Sequence, residues 1–225
     1  MSVRDGDTQV DVAVDNDVLL KAACYGIAQR FWPHAGEEPA AGVLGAARFV
    51  IASAIARGSR VRDKAAASKA LAEFLSEAAV LEPTNAEVGA AAELERLAQL
   101  TGLELDVGES QLAAMTAGRD IALLDTGDKR AVRGLEILID LSETCAQLGA
   151  RVRCLEQLFL RVLDEKPGEF EAIARAVCAE PAVDKTASIC FGCYSGGGME
   201  RDAVLVGLES YVGSLRTAAP RVLAG

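Results

Sequence analysis

The sequence predicts an α/β fold: a small, mostly parallel sheet flanked by many helices, with a mainly helical extension at its C-terminal end. Three observations point there. Hydrophobic residues fill 51% of the 225 positions but aromatics only 4%, so the core must be built from Ala, Val, Leu and Ile, which suits helices packed on a sheet. Short apolar runs such as "DVAVD" at 11–15 lead through polar turns into stretches with helical spacing. Helical patterns outnumber strand-like ones along the whole chain, and no internal repeat interrupts them.

Taken in order, residues 11–15 read as a buried strand and Val18 to Phe31 as a helix, which Pro33 and Pro39 end. A second helix is expected over 41–57, a basic connection from Arg57 to Lys64, and a third helix over 65–79. In "PTNAEV", Thr84 or Asn85 can cap the next helix, and Glu87 is placed to complete a capping box. That helix should run to about Leu100 and stop at Gly102. A turn at Asp106 to Gly108, a helix over 109–117, a strand over 120–124, a turn over 125–128 and a helix from Lys129 follow. Residues 152–155 read as a strand leading into another helix. Residues 169–179 and 201–216 are late helices, with Gly196 to Gly198 forming a turn between them. Residues 10–163 form the expected α/β domain, and 164–225 a mainly helical extension packed on it.

Several chemistries can be set aside. His34 is the single histidine and lies in a Pro/Gly loop, so neither a Ser-His-Asp triad nor a His-rich metal site is expected. "GESQL" lacks the second glycine of a nucleophile elbow, and "SGGGMERD" lacks the Lys-Ser/Thr of a P-loop. The six cysteines are expected as reduced thiols, Cys190 and Cys193 included, because no second pair stands nearby to make a zinc site of their C-x-x-C. No apolar stretch approaches the ~18 residues of a membrane span, and the N-terminal segment is polar, so a soluble cytoplasmic protein is expected. The net charge of −10 argues against a broad nucleic-acid-binding surface, yet is compatible with a nuclease whose acidic site is neutralised by metal ions.

Asp15, Glu109 and Asp128 fall at joints between elements rather than on helix faces. Parallel strands align their C-terminal ends along one sheet edge, so residues from different strands can converge there. Clustered carboxylates repel unless protonated or bound to a cation. With Mg²⁺ or Mn²⁺ they become an oxygen-ligand site able to promote phosphodiester displacement. The plain alternative is that each begins a helix: Asp15 before Val18, Glu109 in a first turn, Asp128 as an N-cap.

"VAVDNDVLL" and "VGESQLAAMTAGRDIALLDTGDKRAV" together resemble a PIN domain, the three-layer fold of many metal-dependent ribonucleases. Asp15, Asn16, Asp17, Val18 and Leu19 match the end of its first strand. Gly108, Glu109 and the small apolar run from Ala113 to Ala117 match its "GE" helix, and Thr126, Gly127 and Asp128 its Thr-x-Asp turn. The resemblance spans roughly residues 10–160. It implies Asp15, Glu109 and Asp128 as catalytic metal ligands, with Asp125 a further ligand and Asn16, Asp17 and Thr126 as supporting or capping residues. Mg²⁺ or Mn²⁺ is the implied cofactor, RNA (single-stranded or structured) the substrate, and an antitoxin-like or second-copy protein the partner. The family supplies one more glutamate, and Glu73, Glu87, Glu93 and Glu95 all remain open for that place. Lys129 and Arg130, beside Asp128, are candidate phosphate contacts, whereas Arg57, Arg60, Arg62, Lys64 and Lys69 read as solvated surface charge.

Two other readings compete. "DNDVLL" also resembles the opening of haloacid-dehalogenase-like phosphatases, with Asp15 as nucleophile and Asp17 as general acid/base, but the second acid expected after Asp128 is missing. The third is a PIN-like module without activity that serves as an interaction surface.

Overall fold

The computed structural model describes residues 10–32, 40–195 and 199–225. The expectations for Pro33, His34, Pro39 and Gly196 to Gly198 lie outside the described residues. The chain runs β1 (Val12–Val14), α1 (Asn16–Cys24), α2 (Ala28–Phe31), β2 (Ala41–Leu44), α3 (Ala47–Arg57), α4 (Lys64–Leu75), β3 (Ala79–Leu81), α5 (Asn85–Thr101) and α6 (Val107–Gly118). It continues as β4 (Leu123–Thr126), α7 (Lys129–Leu138), α8 (Glu143–Ala146), β5 (Val152–Cys154), α9 (Leu155–Glu165), α10 (Phe170–Ala179), α11 (Lys185–Cys190) and α12 (Arg201–Ala218).

All five strands pair in parallel, in the order β3-β2-β1-β4-β5. The first strand is therefore central: the chain builds outward through β2 and β3, then returns to lay β4 and β5 on the other side. Helices cover both faces, as a parallel sheet requires. On one face Val12, Val14 and Val43 pack with Leu19, Phe31, Trp32, Ile51, Phe159 and Phe191. On the other, Ala13, Leu124 and Val152 pack with Leu94, Leu112, Met115, Leu135 and Leu215. This is the expected α/β arrangement with helix layers around a small parallel sheet.

The local expectations fare unevenly. Thr84 caps α5 in a full capping box with Glu87, and Gly102 ends it in the left-handed region. The helix expected from Val18 to Phe31 is instead two, because Gly26 takes φ +65 after α1 and turns the chain. The helix expected over 41–57 begins with β2. Its Ala-Gly-Val-Leu run is buried throughout and lacks the alternation that marks a half-exposed strand. A Cβ on Gly42 would meet Val10 and Leu81 side chains at 2.8 and 2.9 Å, so the strands close up over a glycine. Likewise β3 occupies the end of the helix expected over 65–79, and the strand expected over 120–124 sits later, at β4.

Two further expectations are corrected. Cys178 and Cys193 form a disulfide, because tertiary packing brings the end of α10 within 4.9 Å (Cα–Cα) of the turn after α11. Cys24, Cys145, Cys154 and Cys190 are free and buried. Asp125, expected as a further metal ligand, is fully buried and already engaged. Its oxygens accept from Arg153 Nε at 2.8 Å, Arg153 Nη2 at 2.9 Å and Trp32 Nε1 at 2.8 Å. Arg153 is its register partner on β5, so the pair ties the two strands and α2's end together.

Arg153→Ala strands the Asp125 carboxylate in the core and should cost on the order of 3–5 kcal/mol in denaturant unfolding. A loss below ~1 kcal/mol, the size of a surface ion pair, would contradict the assignment. Alkylation of the denatured, unreduced chain should label four cysteines, with all six labelled only after reduction.

Candidate functional site

The candidate site lies at the C-terminal edge of the sheet between β1 and β4, where the strand order reverses, the crevice position at which open α/β sheets bind ligands. Asp15 follows β1 and caps α1: its backbone is extended, and its Oδ2 accepts from Asp17 N at 3.3 Å. Thr126, the last residue of β4, donates from Oγ1 to the same Asp15 oxygen at 3.2 Å, and accepts from Asp128 N at 3.1 Å. One hydroxyl therefore joins the tip of β1 to the turn after β4. Asp128 caps α7, accepting from Arg130 N at 2.7 Å. Asp106 caps α6 in a reciprocal box: Glu109 N donates to Asp106 Oδ1 at 2.8 Å, and Asp106 N donates to Glu109 Oε2 at 2.9 Å.

The electrostatics are those of crowded acids. Burial, then the charges of Asp17 and Asp106, push the Asp15 carboxyl up to about 6, against the opposing backbone hydrogen bonds. Glu109 is pushed up to about 8 by burial and by Asp106, Asp15 and Asp128, while its bond to the Asp106 backbone pulls the other way. Asp128 goes the other way. Burial opposes its ionisation, but hydrogen bonds and charge from Arg130 outweigh burial and hold the carboxyl below its usual range. The site thus sets one carboxyl below its usual range beside two above theirs, with burial first and neighbouring carboxylates second raising the latter. Among the described residues, no group of three or more His, Cys, Asp or Glu side chains is arranged so that it could hold a metal ion as it stands. The structure thus does not bear out the expected Asp15, Glu109 and Asp128 ligand cluster in closed form, because each carboxylate is turned to its own helix cap.

This chain matches no protein-family model, no curated protein and no solved structure.

The structure brings Asp15 and Asp128 each within electrostatic reach of Glu109, links Asp15 to the Asp128 turn through Thr126, and adds Asp106. Asp106 was legible only as a turn residue, although its Asp-x-x-Glu spacing to Glu109 is a capping-box pattern. The glutamates considered for the additional place are engaged elsewhere in three cases: Glu73 with Lys69, Glu87 with Arg119 and Thr84, and Glu93 with Arg96. Glu95 is half-buried on α5.

Asp17 supports the crevice from outside. It pairs with Lys21 at 2.7 Å, and Lys21 also reaches Asp184 at 3.0 Å and Gly127 O at 3.3 Å. Burial opposes the lysine's charge, but the two aspartates outweigh it and hold the proton more firmly than usual. A Cβ on Gly127 would stand 2.3 Å from Asp17 Oδ2 and 3.0 Å from Lys21 Nζ, so a larger residue in this turn would have to displace that ion pair. Asn16 Nδ2 lies close to where a Cβ on Gly108 would project, at 3.8 Å. Lys129, expected as a phosphate contact, is engaged by protein partners. Its ammonium pairs with buried Glu156 of α9, donates to Thr186 Oγ1 at 3.1 Å and lies 5.6 Å over the Tyr211 ring. Packing of α7 against the C-terminal helices turns it inward. Arg130 stays exposed, bridging Asp128 at 2.8 Å and Glu104 at 2.6 Å.

The raised pKa values set a pH dependence. A carboxyl whose folded value is raised contributes its stability below the ordinary carboxylate range and loses it as pH climbs through the folded value. Stability in the presence of chelator should therefore fall through about 6 for Asp15 and about 8 for Glu109. Glu109→Gln should remove the upper part of that fall. Urea midpoints measured against pH check this, and a wild-type profile that rises through the same window would contradict it.

Proposed function

We propose that this chain is a divalent-metal-dependent ribonuclease whose crevice at Asp15, Asp106, Glu109 and Asp128 cleaves phosphodiester bonds with Mg²⁺ or Mn²⁺. The observation that carries the reading is the convergence of four acidic side chains, from three separate segments, where the strand order reverses. The donors are all oxygen, which suits a small hard cation. The raised proton affinity of Asp15 and Glu109 comes first from burial and then from neighbouring carboxylates, and a cation held there would lower it. A cation held there would supply charge stabilisation at the phosphate and a more acidic attacking water.

The chain's own residues do the positioning. Thr126 holds Asp15 and the Asp128 turn in one register, and the Asp106–Glu109 box fixes the edge of α6. Arg130 lies exposed beside Asp128 and offers a guanidinium to a substrate phosphate. The resemblance to the PIN domain supplies RNA as the substrate class, a PIN-like reading of the sheet and its helix layers, and an antitoxin-like or second-copy protein as partner. The phosphatase reading is less well supported, because Asp17, its general acid/base, is tied to Lys21.

Labelled single-stranded RNA incubated with Mn²⁺ or Mg²⁺ tests the reading. Wild type should cut only with metal; Asp15→Asn and Asp128→Asn should each lose on the order of 100-fold or more, and Thr126→Val about 10- to 100-fold. No cutting together with no Mn²⁺ binding would overturn it and leave a non-catalytic interaction module.

A further inference from the structure

A second cavity lies away from the acidic crevice, walled by α9, α12 and the edge of β5, with a volume of about 480 Å³. Three arginines line it: Arg153, Arg161 and Arg216. Arginine is the residue suited to bidentate capture of carboxylate or phosphate, and gathering three around one cavity is unfavourable unless anions answer them.

The anions present answer one of the three. Arg153 spends Nε and Nη2 on buried Asp125. Arg161 donates from Nη2 to Phe31 O, and its Nε is buried with no hydrogen-bond partner. Arg216 donates from Nη2 to Ala224 O at 2.7 Å. Among the described residues, neither Arg161 nor Arg216 has a carboxylate within ion-pair distance. Burial first, and then the Arg153 charge, weaken Arg161's hold on its proton, against the opposing charges of Glu165 and Asp125. Gln157, by contrast, is satisfied: it donates to Ala224 O at 2.9 Å and accepts from Cys154 N at 3.0 Å.

The remaining wall limits what can enter. Leu160, Leu205 and Val212 give it an apolar side, and the volume is that of a small-molecule site. Asp164, Glu209 and Gly225 complete the lining and are exposed, and the two acidic side chains repel an extended polyanion such as RNA. We propose that this cavity binds a small amphipathic oxyanion, a carboxylate or phosphate monoester on a short apolar body, with Arg161 and Arg216 as its principal contacts. The site is independent of the metal crevice. Its occupancy has a built-in reporter, because Arg153 reaches Asp125, and Asp125 accepts from Trp32, the only tryptophan in the chain.

The test titrates the full chain, at low salt and without metal, with phenyl phosphate, hexanoate and inorganic phosphate, followed by calorimetry and Trp32 emission. Saturable binding of phenyl phosphate or hexanoate, weaker for inorganic phosphate, is expected, and the preferred probe identifies the head group. Arg161→Gln and Arg216→Gln should each weaken it about tenfold or more. Leu205→Phe, which fills the apolar side without touching an arginine, should block it while the chain keeps its melting temperature. No heat from either organic probe with the wild type, or binding that survives all three substitutions, would overturn the proposal.

Discussion

Three helices of this protein begin at one crevice, and each begins on an aspartate: Asp15 for α1, Asp106 for α6 and Asp128 for α7. That arrangement is the constraint around which the site is built. Carboxylates brought together repel, and a cluster of them in a half-buried crevice needs compensation. Helix N-termini supply it twice over, through unpaired backbone N–H groups and through the positive end of the helix dipole. The capping role and the clustered role of these aspartates are thus one fact. Asp15 is an N-cap and also the most buried acid of the crevice, and neither description displaces the other.

The sheet makes this convergence unavoidable. With β1 central and β4 laid directly against it, the residue after β1 and the turn after β4 must meet, and Thr126 joins them with one hydroxyl. Ionic pairs then frame the crevice. Asp125 with Arg153 and Trp32 stiffens the strands beneath it, while Lys21 with Asp17 and Asp184, and Lys129 with Glu156, brace its side. One of these partners, Asp184, comes from the residues after Leu163, and the core draws on more of them. Phe170, Ile173, Val177 and Leu208 share the core that holds β1 and α1, and Leu223 bridges to Val152 at the sheet's edge. The C-terminal helices are in this sense part of the site's support.

What the sequence disclosed depended on how local the cause was. Thr84, Glu87 and Gly102 mark the ends of α5 by their own chemistry, and the structure places them as read. Asp15 and Asp128 were legible because each follows an apolar strand. The strand β2 was hidden, since a short run buried on both faces has no period to betray it. The fates of Asp125, Lys129 and Cys178 were hidden for a different reason. Each is decided by a partner distant in the chain (Arg153, Glu156, Cys193), which no local pattern announces. Asp106 is the intermediate case: its capping-box spacing was visible, but its nearness to Asp15 arises only when α6 packs beside β1.

The most direct measurement is calorimetric titration of the chain with Mn²⁺ at neutral pH in buffers of different ionisation enthalpy. The account predicts saturable binding that releases protons, because Glu109 holds its proton up to about 8 and a cation must displace it. It also predicts that Asp15→Asn abolishes the binding. Failure of the wild-type chain to bind Mn²⁺, or binding that Asp15→Asn leaves intact, would contradict the reading of this crevice as a metal site.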